Sequence, residues 1–279
     1  MSISVQNVSK SYGAKQALDG VSFEVAPGEV FGLLGANGSG KTTLNRCIAT
    51  LLRPDTGRIV VDGQDAVEAP DAVRQRIGYL AEFPTFYPSL SADEFLRFLG
   101  GLQGLSEATA TERIDRWITL FELEEARRLP LGGFSQGMKR KIALAGALIG
   151  DPSVVLLDEP TNGLDPPSVY LFRQVINSLR EQGRTVLLSS HVLPLVEQAC
   201  DRVAILAGGT LKVVGTMTEL REDAGMPDAD LEQLFLHYSG LDEAMLERLA
   251  VSTRPSVPDA EDLAGSTWVP EQVLDGFGA

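Results

Sequence analysis

The sequence predicts an α/β fold on a mainly parallel sheet, with an antiparallel β subdomain and a helical subdomain inserted in the core. Three observations lead there. Val154 to Leu157 and Thr185 to Leu188 are short, continuous apolar runs, the profile of strands buried on both faces. Helical stretches follow them, and strands alternating with helices imply parallel strands covered on both sides. Between the strand signals, Ser91 to Gly150 reads as helix throughout.

The elements follow in order. Residues 2 to 34 are β-rich: Ile3-Ser4-Val5 alternates, and Val21 to Val25 alternates again before the Pro27-Gly28 turn. Glu29 to Leu34 is a buried-strand run, and Thr43 to Leu52 forms a helix with Leu44, Ile48 and Leu51 on one face. Pro54 to Gly57 turns the chain into the strand Arg58 to Val61, followed by a short helix over 70–76 and the strand Ile77 to Leu80. Ala81 to Pro88 is a loop with three aromatics and two prolines, fit for core or for a partner's contact surface. Ser91-Ala92-Asp93-Glu94 has the form of a helix start.

A helix over 166–181, the strand Thr185 to Ser190, His191, a helix over 193–200 and the strand Arg202 to Leu206 come next. The Gly208-Gly209 turn and Leu211 to Val214 close a hairpin. Residues 1–220 are thus one domain, its helical subdomain spanning about 84–152, and 221–279 a helical extension with an acidic tail. In that extension Leu231, Leu234, Phe235 and Tyr238 share a helical face, and Leu241, Met245 and Leu249 continue at a four-residue spacing. Residues 252–263 read as linker, and Trp268-Val269-Pro270 as a docking segment.

Composition bounds the function. At 279 residues, 44% hydrophobic and 22% charged, the chain holds a substantial core. No apolar run nears the roughly 18–20 residues of a bilayer span, and Met1 to Val8 lacks the pattern of a signal peptide. Cys47 and Cys200 give no disulfide framework and suit a reducing compartment. A net charge of −14, from 24 basic and 38 acidic residues, argues against nucleic acid as the main ligand. A local phosphate site is compatible with it.

Gly35-Ala36-Asn37-Gly38-Ser39-Gly40-Lys41-Thr42 fits G-x-x-x-x-G-K-[ST] between a strand and a helix. A phosphate chain needs donors on a concave surface, and backbone N–H groups supply them where side chains do not intrude. Gly35, Gly38 and Gly40 clear that surface, and the helix N-terminus adds partial positive charge. Lys41 can then reach terminal phosphates, and the Thr42 hydroxyl can ligate Mg²⁺. Ligands of open parallel sheets gather at the C-terminal strand ends, where Asp158-Glu159 and His191 also fall. Asp158 suits Mg²⁺ and Glu159 a general base toward water, while His191 can hydrogen-bond a terminal phosphate. Tyr12 is either an ordinary turn residue or a face for stacking a base.

Further motifs carry a family resemblance. Phe134-Ser135-Gln136-Gly137-Met138, Leu156 to Asp165 (Leu-Leu-Asp-Glu-Pro-Thr-Asn-Gly-Leu-Asp) and Ser190-His191, with the glycine loop, resemble the ATP-binding-cassette (ABC) ATPases over roughly residues 1–220. The resemblance implies a phosphate-loop NTPase core using ATP and Mg²⁺. It implies adenine stacking on Tyr12 and phosphate contacts from Gly35, Ala36, Asn37, Gly38, Ser39, Gly40, Lys41, Thr42 and Thr43. Glu159, His191 and Lys41 take catalytic roles, and Thr42, Asp158 and Glu82 serve the metal.

It further implies a head-to-tail dimer with an identical or paralogous subunit. Ser135, Gln136 and Gly137 of one subunit contact the ATP held by the other, and Asp165 crosses the interface. Ser135 and Gly137 open a helix whose N-terminus would face the phosphate. Two departures stand out: Phe-Ser-Gln-Gly-Met replaces the commoner Leu-Ser-Gly-Gly-Gln, and Glu82 stands where a glutamine is usual. Together with Lys139-Arg140-Lys141 they resemble the subgroup that pairs with separate ABC-2 type exporter subunits. The expectation is a peripheral ATPase on the cytoplasmic side of the cell membrane, bound to transmembrane permease subunits, with Glu82 to Pro88 as docking surface. The rival is a soluble ABC ATPase. Those tend to carry coiled-coil insertions, tandem cassettes or metal-binding cysteines, none of which this sequence shows. Intact Lys41, Asp158, Glu159 and His191 speak against a silent structural cassette.

Overall fold

Two sheets and their helices are seen in the computed structural model, which describes residues 1–240. In chain order the elements are β1 (Ile3–Tyr12), β2 (Lys15–Val25), β3 (Val30–Leu34), α1 (Lys41–Ile48), β4 (Thr56–Val61), β5 (Gln64–Asp65), α2 (Pro70–Arg74) and β6 (Ile77–Leu80). Next come α3 (Ala92–Leu102), α4 (Glu107–Leu120), α5 (Gln136–Leu148), β7 (Val154–Asp158), α6 (Pro166–Glu181), β8 (Thr185–Ser189) and α7 (Leu193–Ala199). β9 (Arg202–Ala207), β10 (Thr210–Gly215), α8 (Met217–Asp223) and α9 (Leu231–Ser239) complete them.

The six-stranded sheet has the order β10-β9-β3-β8-β7-β6. Only the edge strand β10 runs antiparallel in it. Its central strands are buried on both faces, and successive residues divide between two cores. Val30 and Leu34 of β3 pack with the α3–α7 helices, while Phe31 and Leu33 face α1 and the other sheet. That second sheet, β2-β1-β4-β5, is wholly antiparallel. β3, β8 and β7 lie side by side, with Leu33 and Asp158 both in register with Ser189. The chain therefore leaves all three strands along one edge, at Gly35, Glu159 and Ser190.

The helical insertion is three helices rather than one continuous stretch. Ser91 and Glu94 form the expected capping box at α3, and Ser106 caps α4. Gly104, at φ +75°, turns the chain between them. Residues 121–135 connect α4 to α5, with a 3-10 turn at Leu131–Gly133. Phe95, Ile114, Phe121, Phe134 and Ile142 fill the space between the helices.

Three boundaries differ from the sequence reading. Tyr12 ends β1, opposite Lys15, rather than lying in a turn between separate strands. α1 stops at Ile48, because Leu51 and Leu52 both donate to the Arg46 carbonyl and Thr50 adopts φ +60°. Leu51 leaves the apolar face and is 62% exposed. α8 and α9 pack against β9, β10 and α7, so the compact unit runs Met1–Gly240 and does not end at residue 220. Leu231 and Leu234 are buried there, and Phe235 and Tyr238 pack beside them. Leu241, Met245, Leu249, the 252–263 linker and Trp268 to Pro270 lie outside the described residues. Among the described residues no helix is long and apolar enough to cross a membrane.

Candidate active site

The glycine loop connects β3 to α1 in the form its sequence demands. A Cβ at Gly35 would stand 2.5 Å from the Leu206 carbonyl oxygen, and one at Gly40 would stand 2.5 Å from that of Ala17. Gly40 also holds φ +113° as the residue before α1. No side chain larger than hydrogen fits either place. The loop borders a cleft of about 290 Å³ lined by Asn37, Gly38, Ser39, Gly40, Lys41, Thr42 and Thr43, with Tyr12, Lys15, Glu82 and Glu159 around them. Gly35 and Ala36 enter through their carbonyls, which accept from Lys41 Nζ at 2.7 and 3.4 Å.

Lys41 is buried, and its ammonium stands 3.6 Å from Glu159 Oε1. Glu159 Oε2 accepts from the His191 backbone N–H at 3.2 Å and from His191 Nδ1 at 2.8 Å. Glu159 itself adopts φ +48°, a left-handed conformation unusual for a non-glycine residue. It is held by its own N–H donating to Ser189 O at 2.8 Å and by Arg140 Nη2 donating to its carbonyl at 2.5 Å. His191 keeps its ring 55% exposed and reaches the cleft through Glu159.

Asp158 ends β7 fully buried, and its Oδ1 has no hydrogen-bond partner. Burial pushes its pKa above the ordinary carboxylate value, the Thr42 and Asn45 side chains oppose that shift, and the charges of Glu82 and Glu159 add to it. A divalent cation would relieve both the orphaned oxygen and the crowded negative charge. Thr42, Asp158 and Glu82 offer hard oxygen donors, and the residues present fit Mg²⁺. The described residues contain no ready-made cluster of three or more His, Cys, Asp or Glu ligands.

The structure thus gathers Tyr12, the glycine loop, Glu82 and Glu159 at one cleft, with Asp158 and His191 behind them. It does not bring Ser135, Gln136 or Gly137 there. Ser135 caps α5, accepting from Met138 N–H at 3.2 Å, and both Ser135 and Gln136 are exposed. Asp165 caps α6 through Ser168 N–H at 3.0 Å. Sequence reasoning missed Asn45, which is buried and donates to Ser189 Oγ at 2.7 Å, thereby tying α1 to β8. It also gave Arg140 no role, although Arg140 shares a helical face with buried Leu144.

A parallel sheet with a glycine loop, a buried lysine at the following helix and carboxylates at the next strand end defines a phosphate-loop nucleotide hydrolase. The family model described as ABC transporter matches residues 18–162, and the chain belongs to that family, as one of its ATP-hydrolysing cassettes. It is 41% identical over 223 residues to the Daunorubicin resistance ATP-binding protein DrrA3 of Streptomyces coeruleorubidus, covering 80% of this chain and 71% of the relative. A solved structure described as the ATP binding subunit of an ABC transporter superposes with TM-score 0.82 at 33% identity, covering 86% of this chain and 100% of the other. A dimeric structure of a bacterial ABC transporter cassette gives TM-score 0.72 at 25% identity, covering 77% and 98%.

Proposed function

We propose that the chain acts as a head-to-tail pair, with an identical or paralogous subunit, around two Mg-ATP, and drives export through separate transmembrane subunits from the cytoplasmic face of the membrane. The observation that carries this reading is the exposed start of α5. Ser135, Gln136 and Gly137 cap a helix whose N-terminus is directed to no group of their own cleft. A second copy turned head to tail would offer that N-terminus to the phosphates on Lys41. The dimeric cassette of the same fold supports the arrangement, and a drug-resistance relative supports export.

In the reaction, the backbone N–H groups of the loop and the Lys41 ammonium bind and orient the phosphate chain, and Tyr12 stacks on the adenine. Thr42, Asp158 and Glu82 would hold Mg²⁺, which would supply charge neutralisation at the phosphates. Glu159 takes a proton from the attacking water, and His191 fixes the orientation of its carboxylate through the 2.8 Å bond. Ser135 and Gly137 of the partner close the site over the attacking water and exclude bulk solvent. Each of these side-chain roles rests on the cleft's lining and on the motif positions. For the membrane partner, Phe83 (81% exposed) and Tyr87 stand on the loop after β6. Phe83 borders a groove shared with Gly132, Lys139 and Gln136 of the helical subdomain, a surface of the kind a hydrophobic partner covers.

Mixing two inactive subunits tests the shared site. Lys41→Ala and Ser135→Arg each abolish turnover alone. A mixed dimer has one site with both defects and one with neither, so an equal mixture recovers about one quarter of the wild-type rate. Full activity of an isolated monomer, or turnover by either single variant alone, would refute the composite site. Co-purification of a multi-span partner from solubilised membranes tests the coupling to transport.

A further inference from the structure

We propose that Arg140 is a positioning residue that holds Glu159 and the loop of Glu82 in fixed relation to the helix carrying Ser135. Arg140 lies on α5 and is 5% exposed. Its Nη1 donates to the carbonyls of Ala81 at 3.1 Å and Glu82 at 2.8 Å, and its Nη2 donates to that of Glu159 at 2.5 Å. All of these acceptors are backbone oxygens just beyond the ends of β6 and β7, which pair as neighbours. None is a carboxylate, although Glu82, Asp158 and Glu159 are near enough to act on its charge.

A buried guanidinium without a salt-bridge partner is a costly way to fill space, and an apolar side chain would fill it more cheaply. What the fork supplies instead is several rigidly directed donors at once. The Glu159 carbonyl belongs to a residue at φ +48°, a conformation that persists only when its surroundings hold it. Removing the fork frees the turn that aims the general base. Ser135 lies five positions earlier, at the start of the same helix. On the dimer reading above, the element that closes the partner's ATP is therefore bolted to the base and the sensing loop of its own. Closure at one site reaches the other through one guanidinium.

The test uses the full chain with Arg140→Lys, which keeps the charge but loses the fork, and Arg140→Met, which keeps the volume. Both lower kcat for ATP by about tenfold to a hundredfold with KM within about threefold. In a Glu159→Gln background Arg140→Met causes no further fall, since the group it positions is already gone. Without nucleotide, amide exchange in Arg140→Met accelerates at residues 159–164 and 81–85 and stays unchanged in the β9–β10 hairpin. Unchanged exchange at 159–164, or equal acceleration everywhere, overturns the proposal. So does an unaltered kcat beside an active wild type. A wild type unable to hydrolyse ATP counts against the functional reading, and the exchange result then decides the role of Arg140 alone.

Discussion

Replacing Glu159 by glutamine exchanges one carboxylate oxygen for an amide nitrogen and leaves the side chain's shape intact. Oε2 accepts two hydrogen bonds from His191, at 3.2 and 2.8 Å, and Oε1 stands 3.6 Å from Lys41 Nζ. The carboxamide oxygen keeps both His191 bonds, which turns its NH₂ toward the Lys41 ammonium. Two donors then confront each other at a buried place, at a cost of about 1–3 kcal/mol. For a domain of this size that lowers the nucleotide-free Tm by roughly 2–12 °C. Bound ATP removes the conflict, because its terminal phosphate is an acceptor for both donors and no longer meets a neighbouring carboxylate. The Tm increase on adding Mg-ATP is therefore larger in the variant than in the wild type. Turnover falls by about 10²–10⁴, the usual contribution of a general base. Scanning calorimetry with and without Mg-ATP and a phosphate-release assay measure these quantities. Turnover within about threefold of the wild type, or a smaller ATP-induced Tm increase, would refute the reasoning.

Two further substitutions bear on the cleft. Glu82→Ala removes a hard oxygen donor and raises the Mg²⁺ concentration for half-maximal turnover by about tenfold, with a smaller shift in the same direction for Glu82→Gln. Unchanged rates and Mg²⁺ dependence in both would remove Glu82 from the metal site. Gly40→Ala places a methyl 2.5 Å from the Ala17 carbonyl oxygen and 2.8 Å from Leu18 Cδ2 at φ +113°. That strain costs about 2 kcal/mol or more and lowers Tm by roughly 4–8 °C. ATP binding, followed by equilibrium titration, is lost with it, and a variant that keeps both Tm and affinity would show that the loop relaxes freely.

What the sequence disclosed about the fold follows from how local each signal is. α6 spans 166–181 as read, because Asp165 supplies the cap and Pro166 the first turn within two adjacent residues. β7 and β8 announce themselves as unbroken apolar runs because both their faces are buried. β1 was legible only at Ile3 to Val5. Beyond Val5 its pairing with β2 shifts register, and Asn7 adopts φ +50°, so the alternation that marks a strand is interrupted. Leu51 misled for the opposite reason. Its spacing from Leu44 and Ile48 is helical, but the helix had already closed on the Arg46 carbonyl.

The same distinction separates the parts of the site. The glycine loop is contiguous, and each of its requirements is written in the residue that meets it. Asp158, Glu159 and His191 are far from it in sequence, yet they fall at strand ends, and a parallel sheet places such ends on one edge. Arg140 is different because its acceptors are backbone carbonyls, 19 residues away at Glu159 and 58 and 59 away at Glu82 and Ala81. A carbonyl carries no residue identity, so no spacing of side chains could have pointed to that contact. Within the sequence Arg140 is the middle of a basic triplet, and only burial on α5 separates it from Lys139 and Lys141. Groups that act on nucleotide through their own side chains are legible from residue type. The groups that hold those side chains in place work through main-chain atoms, and they become visible only once the strand ends and the helix have been brought together.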